Sequence, residues 1–350
     1  MKTKLLFLLL LPFYCLAQIP AYYRSIDFTK SGDELKNQLT TLITNTHTTN
    51  LPYTATGTTD VWDALSQTDL DPNNSNNVLL VYGYNDSDTD VSNDRTRDKT
   101  LQCHTSSCNG LWVREHTFPR SLGTPNLGFD MAGSDAHHLR AIDNQMNNLR
   151  SNRIYDNGSG NAGVLPNGNW FPGDEWKGDI ARMMMYMYVR YPTQCLSTLV
   201  GAGSTSYSNF GDMPNIFLDW NVQDPVSQYE KNRNIVLETI QGNRNPFIDN
   251  PYLATKIWNG TPATETWGLL SINDNKLSQL VIYPTVTSDY VYILNPSNKT
   301  YSFTIYNLMG QTIKSNTTTD KIDVSNDSKG LYFINLSNES QSNMFKIILK

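Results

Sequence analysis

Past about residue 277 the spacing of apolar residues changes, and no single repeating architecture accommodates both sides of that change. Downstream, the runs QLVIYP (279–284), YVYIL (290–294), YSFTIYN (301–307), KIDVS (321–325), GLYFINL (330–336) and MFKIILK (344–350) are rich in β-branched and aromatic residues. Asn, Ser, Gly and Pro separate them. Short strands with turn signals between them, recurring every ~8–15 residues, predict a small β-sandwich. Upstream the chain reads as helices and long loops, with VLLVYGY (78–84) as a strand. DPVSQYEKNRNIVLETIQGN (224–243) is a helix with both ends marked: Ser227 and Glu230 form a capping box, and Gly242 sits where a C-terminal cap belongs. GDIARMMMYMYVRY (178–191) predicts a second helix, its methionines filling core gaps. The expected fold class is α+β: a mainly helical domain over 18–265, a linker over 266–276 and a β-sandwich over 277–350. No internal repeat is present.

A chain of 350 residues suits a catalytic domain plus an accessory. It opens with MKTKLLFLLLLPFYCLAQ, where two lysines, an apolar run and small residues near Ala17 read as a signal peptide over 1–17. The run is short for a membrane span and no other stretch approaches ~20 apolar residues, so stable membrane insertion is not expected. Bulky Phe13 and Tyr14 before Cys15 argue against a lipoprotein. Removing the leader leaves Cys103, Cys108 and Cys195. Export permits disulfides, and CHTSSC (103–108) reads best as a small closed loop. A zinc site is the rival, though the spacing fits no standard ligand pairs. Loss of Lys2 and Lys4 takes the net charge from −6 to −8. A protein that coats nucleic acid regardless of sequence is normally basic, so any phosphate-binding surface here must be local. Arg114, Arg120, Arg140, Arg150 and Arg153 all fall between residues 112 and 153.

That window contains WVREHTFPRSLG (112–123), centred on Glu115 and His116. Neighbours on a strand point to opposite faces, and on a helix they diverge by ~100°. The two serve one site only if the backbone turns there; an incidental pair at a surface strand end is the alternative. SDAHHLRAIDNQMNNLRSN (134–152) follows. Ala136, Leu139, Ile142, Met146 and Leu149 recur at helical spacing, predicting one helix capped by Ser134 or Asp135. His137, Arg140, Asn144 and Asn147 then share its other side. Amides, imidazole and arginine suit a site better than solvent, although asparagines bonding to nearby loops give the same pattern. A carboxylate and an amide oxygen are hard ligands for Mg²⁺. A neutral imidazole deprotonates water near pH 7, and arginine matches phosphate oxygens.

REHTFPRS (114–121), DAHHLRAIDNQMNNLRSN (135–152), KGDIARMMMYM (177–187) and DPVSQYEKNRN with IQGNRNPFIDNP (224–251) together resemble the bacterial endonuclease I family. These are secreted or periplasmic nucleases built on a ββα-metal (His-Me) finger. The resemblance implies that Glu115 and Asn147 hold a metal and that His116 is the general base. Arg150 is the first choice for the transition-state arginine, with Arg120 second. Arg114, Arg120, Arg140 and Arg244 are further candidates for substrate contact. The tail, with its early Tyr-Pro, YNLMGQ, KGLYFI and a Lys-rich end, resembles the sorting domain of type IX secretion.

The expected function is a secreted, monomeric, non-specific endonuclease that uses Mg²⁺ (Mn²⁺ or Ca²⁺ as alternatives) on DNA and RNA and leaves 5′-phosphate ends. The secretion machinery is its expected partner, with release or surface attachment outside the cell. The rival readings are a phosphodiesterase or phosphatase of small esters at the same site, and a non-catalytic secreted adhesin.

Overall fold

The computed structural model describes residues 19–105, 107–269, 281–294, 300–337 and 342–350. They form two compact units, which divide between Gly268 and Leu269. The leader (1–17) and residues 270–276 of the expected linker lie outside the described residues. Trp267, within that expected linker, is buried against Tyr23 and Phe28 and so belongs to the first unit.

In chain order the first unit comprises α1 (Gly32–Thr46), α2 (Val61–Thr68), β1 (Leu70–Asp71), β2 (Asn74–Leu79), β3 (Thr96–Asp98), β4 (Trp112–His116), β5 (Leu139–Asp143), α3 (Asn144–Arg150), β6 (Gly163–Val164) and β7 (Trp170–Phe171). The helices α4 (Lys177–Arg190), α5 (Asn215–Gln223), α6 (Gln228–Gln241), α7 (Pro246–Asp249) and α8 (Tyr252–Trp258) follow. Strands β1–β2–β3 form one antiparallel sheet, while β4–β5 and β6–β7 are separate pairs. Long loops and these small sheets share the unit with the helices, so it is less helical than expected.

Helix α6 begins as its sequence dictates. Ser227 Oγ accepts from the Glu230 amide at 3.1 Å, and Glu230 Oε2 accepts from the Ser227 amide at 3.0 Å. The helix ends at Gly242, whose φ of 90° is left-handed. Helix α4 is buried from Gly178 to Arg190, including Met183, Met184, Met185 and Met187. Its arginines are buried too: Arg182 donates to Glu230 and the Asp224 carbonyl, and Arg190 to His47 Nδ1 and Thr44 Oγ1.

Residues 134–152 depart from the single helix expected. Residues 139–143 are strand β5, all five of them buried. Only 144–150 are helical. Burial on both faces of a strand removes the alternation that would mark it, and the remaining apolar spacing mimics a helix. Asp143 makes the switch: its Oδ1 accepts from the amides of Gln145 and Met146 at 2.6 and 3.0 Å, capping α3. The strand expected over 78–84 stops at Leu79. Cys103 and Cys108 form a disulfide, which excludes the zinc alternative, and Cys195 is free and buried.

In the second unit β8 (Val281–Tyr283), β10 (Tyr290–Leu294) and β13 (Lys321–Asp323) make one sheet in the order β13–β10–β8. The strands β9 (Val286–Thr287), β11 (Tyr301–Tyr306), β12 (Thr312–Thr318), β14 (Gly330–Ser337) and β15 (Ser342–Leu349) make a second, in the order β12–β11–β14–β15–β9. Ile282, Val291, Ile293 and Ile322 from the first sheet share one apolar core with Phe303, Ile305, Ile334 and Ile347 from the second. Among the described residues no helix is long and apolar enough to cross a membrane.

The two ends of α6 should differ in sensitivity. Ser227→Ala removes one cap bond and should cost about 1 kcal/mol. Gly242→Ala should cost more, because a Cβ there meets the Thr46 carbonyl and φ is unfavourable for alanine. Urea unfolding of both variants checks the order.

Candidate active site

Strand β4 runs antiparallel to β5, with Glu115 opposite Arg140 and His116 opposite Leu139. His116 is the last residue of β4, and the chain then turns through Thr117 to Pro119. That turn brings two neighbours of opposite strand faces to one cleft of about 400 Å³. Its walls include Tyr53, Arg114, Glu115, His116, Arg120 and Asn147.

Glu115 is buried in a polar cage. Its Oε1 lies 3.1 Å from Arg150 Nε and accepts from Tyr82 Oη at 3.3 Å. Tyr82 and Tyr155 share a hydroxyl contact of 2.8 Å, and Tyr155 Oη donates to the Thr117 carbonyl at 2.7 Å. Burial pushes the Glu115 carboxyl up to about 7, and Arg150 and Tyr82 only partly offset that. One arginine therefore does not fully compensate this charge. Asn147 lines the same cleft. Carboxylate and amide oxygens suit a hard divalent cation, and the chemistry of this pair fits one. Among the described residues no three His, Cys, Asp or Glu side chains converge as a metal cluster.

His116 faces the other side of the strand end. Its Nε2 contacts the Gly133 carbonyl at 2.8 Å, and Tyr53 stacks on the ring at 5.4 Å. A nitrogen beside a carbonyl must carry the hydrogen, so Nδ1 keeps the lone pair. Burial, reinforced by His138 with its ring 5.5 Å away, holds the imidazole well below its usual pKa. It is neutral at physiological pH.

The arginines separate into two groups. Arg114 lies between the Tyr53 and Trp62 rings at 3.5 and 4.2 Å and donates to the Tyr53 carbonyl and Thr54 Oγ1. Arg120 stacks on Phe129 at 3.8 Å. Both border the cleft. Arg150, expected to meet the transition state, is instead fully buried: beside its Glu115 contact, Nη1 and Nη2 donate to the carbonyls of Ser151 and Thr117 at 3.0 Å each. Arg140 is also fully buried, 3.1 Å from Asp69, 3.3 Å from Asp179 and 2.8 Å from Tyr229 Oη, and does not line the cleft. Arg244 is held by Asp249 and Glu238 as a loop staple. His137 is buried against the Asn243 carbonyl and takes no part in the cleft. Sequence reading missed Tyr53, Tyr82 and Tyr155: Tyr53 lies 63 residues from His116, Tyr82 33 from Glu115 and Tyr155 73 from Tyr82, so no local pattern joins them.

A cleft that joins a buried carboxylate, a neutral imidazole, an amide and two arginines is equipped to hold a phosphate and deprotonate a water. Residues 31–252 match the family described as Endonuclease I, and residues 281–350 match the secretion system C-terminal sorting domain. The chain belongs to the Endonuclease I family: it is a nuclease, and it is secreted. It is 38% identical over 256 residues to the extracellular ribonuclease of Bacillus subtilis (strain 168), covering 69% of this chain and 80% of that one. The extracellular ribonuclease of Bacillus amyloliquefaciens is 40% identical over 256 residues, covering 69% and 79%.

Arg140→Met should cost roughly 3–5 kcal/mol in urea unfolding, because the buried Asp69 and Asp179 each lose one of their two arginine neighbours. Arg120→Ala, at the cleft edge, should cost under about 1 kcal/mol.

Proposed function

We propose that the chain is a divalent-metal-dependent, non-specific endonuclease that hydrolyses DNA and RNA and leaves 5′-phosphate ends. The convergence of Glu115, His116 and Asn147 on one cleft, with His116 neutral and oriented through Nε2, carries this reading. The relatives named as extracellular ribonucleases favour RNA among its substrates. On this reading β4, β5 and α3 are the strand–strand–helix unit of a ββα-metal finger. The catalytic domain is the first unit, behind a leader over 1–17. The tail from about 277 directs export through the type IX machinery.

His116 takes a proton from the attacking water at Nδ1, while the Gly133 carbonyl fixes its tautomer. Glu115 and Asn147 hold the metal, with Mg²⁺ the favoured ion. When bound, that ion supplies Lewis-acid stabilisation of charge on the phosphate and the leaving 3′-oxygen. Arg150 keeps the Glu115 carboxylate in place. Arg120 and Arg114 hold non-bridging phosphate oxygens at the cleft wall. Contacts to phosphate rather than to base edges carry no sequence information, so cleavage is non-specific.

Plasmid cleavage with and without EDTA tests the assignment, and calorimetric Mg²⁺ titration separates the roles. His116→Ala should lose about 10²–10⁴-fold in rate and still bind Mg²⁺. Glu115→Ala should lose rate and affinity together, with partial recovery at high Mg²⁺. Asn147→Asp should keep the metal even if it is slower. Loss of metal binding in His116→Ala alongside normal binding in Glu115→Ala would mean that the two roles are exchanged.

A further inference from the structure

Phe129 is half exposed, at 50%, on the loop that runs from Asn126 to Gly133. It is not a stray surface residue. Its ring meets Tyr53 at 4.8 Å and lies over the Arg120 guanidinium at 3.8 Å, and both of these line the cleft. Tyr53 in turn stacks on His116. A continuous aromatic path therefore leads from the imidazole to solvent. The loop is tied down at both ends. Arg120 Nη1 donates to the Gly128 carbonyl at 3.3 Å, and the carbonyls of Ala132 and Gly133 accept from His138 and His116 at 2.8 Å each. Two positions on it, Met131 (φ 49°) and Gly128 (φ 67°), adopt left-handed backbone, which an L side chain such as that of Met131 takes only at a cost. Met131 is half exposed as well. A firmly held loop thus presents apolar surface beside a phosphate-handling cleft.

We propose that Phe129, backed by Arg120, is a stacking platform for an unpaired nucleobase adjoining the phosphate bound in the cleft, which makes single-stranded nucleic acid the favoured substrate. The proposal rests on the endonuclease reading above. Every base has a π-face, so stacking adds affinity without sequence preference. In a duplex those faces are covered by neighbouring base pairs, whereas unpaired bases splay onto aromatic side chains. The charge balance supports this. A chain of net charge −6 gains little general electrostatic attraction to phosphate, and stacking supplies affinity from another source.

The test uses the full chain, wild type and the Phe129→Ala and Phe129→Trp variants. Fluorescence anisotropy in EDTA measures binding to a labelled single-stranded DNA oligonucleotide, its duplex, and the same strand with abasic sites. Steady-state cleavage in Mg²⁺ gives KM and kcat, and thermal unfolding reports stability. Wild type should prefer the single strand, and the abasic strand should bind weakly. Phe129→Ala should weaken single-strand binding about 5- to 150-fold. It should raise KM more than it lowers kcat and leave duplex binding near wild type, and Phe129→Trp should restore the preference. Equal effects on single strand and duplex, no effect on either, or a fall in thermal stability with no change in preference would overturn the platform. If wild type cleaves no nucleic acid yet keeps a Phe129-dependent preference in EDTA, the endonuclease reading fails and the platform stands. Normal cleavage without that preference overturns the platform alone.

Discussion

The ion pair between Glu115 and Arg150 ties the end of strand β4 to the end of helix α3, and the cleft takes its shape from that tie. Arg150 closes on the carbonyls of Thr117 and Ser151 as well, so one guanidinium fixes the turn after His116 and the turn after the helix. Residues three apart on a helix share a face, so the register that sends Arg150 to Glu115 also brings Asn147 to the cleft wall. Burial of both charges is expensive, and the hydrogen bonds around them are what make it sustainable. The Tyr82–Tyr155 pair completes the cage from below, linking Glu115 to the Thr117 carbonyl through two hydroxyls.

Behind the cleft a second buried network holds β5. Arg140 bridges Asp69 and Asp179, and Arg182 joins Asp179 to Glu230 at the start of α6. The two networks have a joint consequence. Antiparallel pairing sets Arg140 directly opposite Glu115, yet Arg140 commits its donors to Asp69, Asp179 and Tyr229. Glu115 is left with a single cationic neighbour and a carboxyl raised to about 7. Had Arg140 turned toward it, a second guanidinium would have offset the carboxylate. The scaffold thus keeps one buried acid short of positive charge at the wall of the cleft.

Legibility in the sequence followed how local each determinant is. Helix α6 was readable because its capping box and terminal glycine lie within its own few residues. The β-rich tail was readable from its alternation, except the two-residue β9 and β12: TIKSNTT is mostly exposed and polar and pairs with β11 alone, so it has no apolar face to announce it. Strand β5 was not readable, because every one of its residues is buried. The arginines misled for a related reason. Charged residues are normally outside, so a cluster of them between 112 and 153 reads as a surface, whereas Arg140 and Arg150 are 0% exposed. Only the fold shows that their acidic partners were close enough to bury them.

The disulfide connects the compartment to the cleft. Cys103 donates its amide to the Trp112 carbonyl, and Trp112 donates to the Leu101 carbonyl, so the chain entering the bridge is hydrogen-bonded to the first residue of β4. Three residues further along that strand is Glu115. A bridge that closes so short a loop contributes at most about 2–3 kcal/mol, and it forms only where thiols are oxidised. In a reducing compartment the entry to β4 would keep its hydrogen bonds but lose the covalent restraint. For a secreted nuclease that asymmetry has a physical direction: the strand bearing His116 and the buried Glu115 carboxylate reaches its most restrained form after the chain has left the reducing cytoplasm.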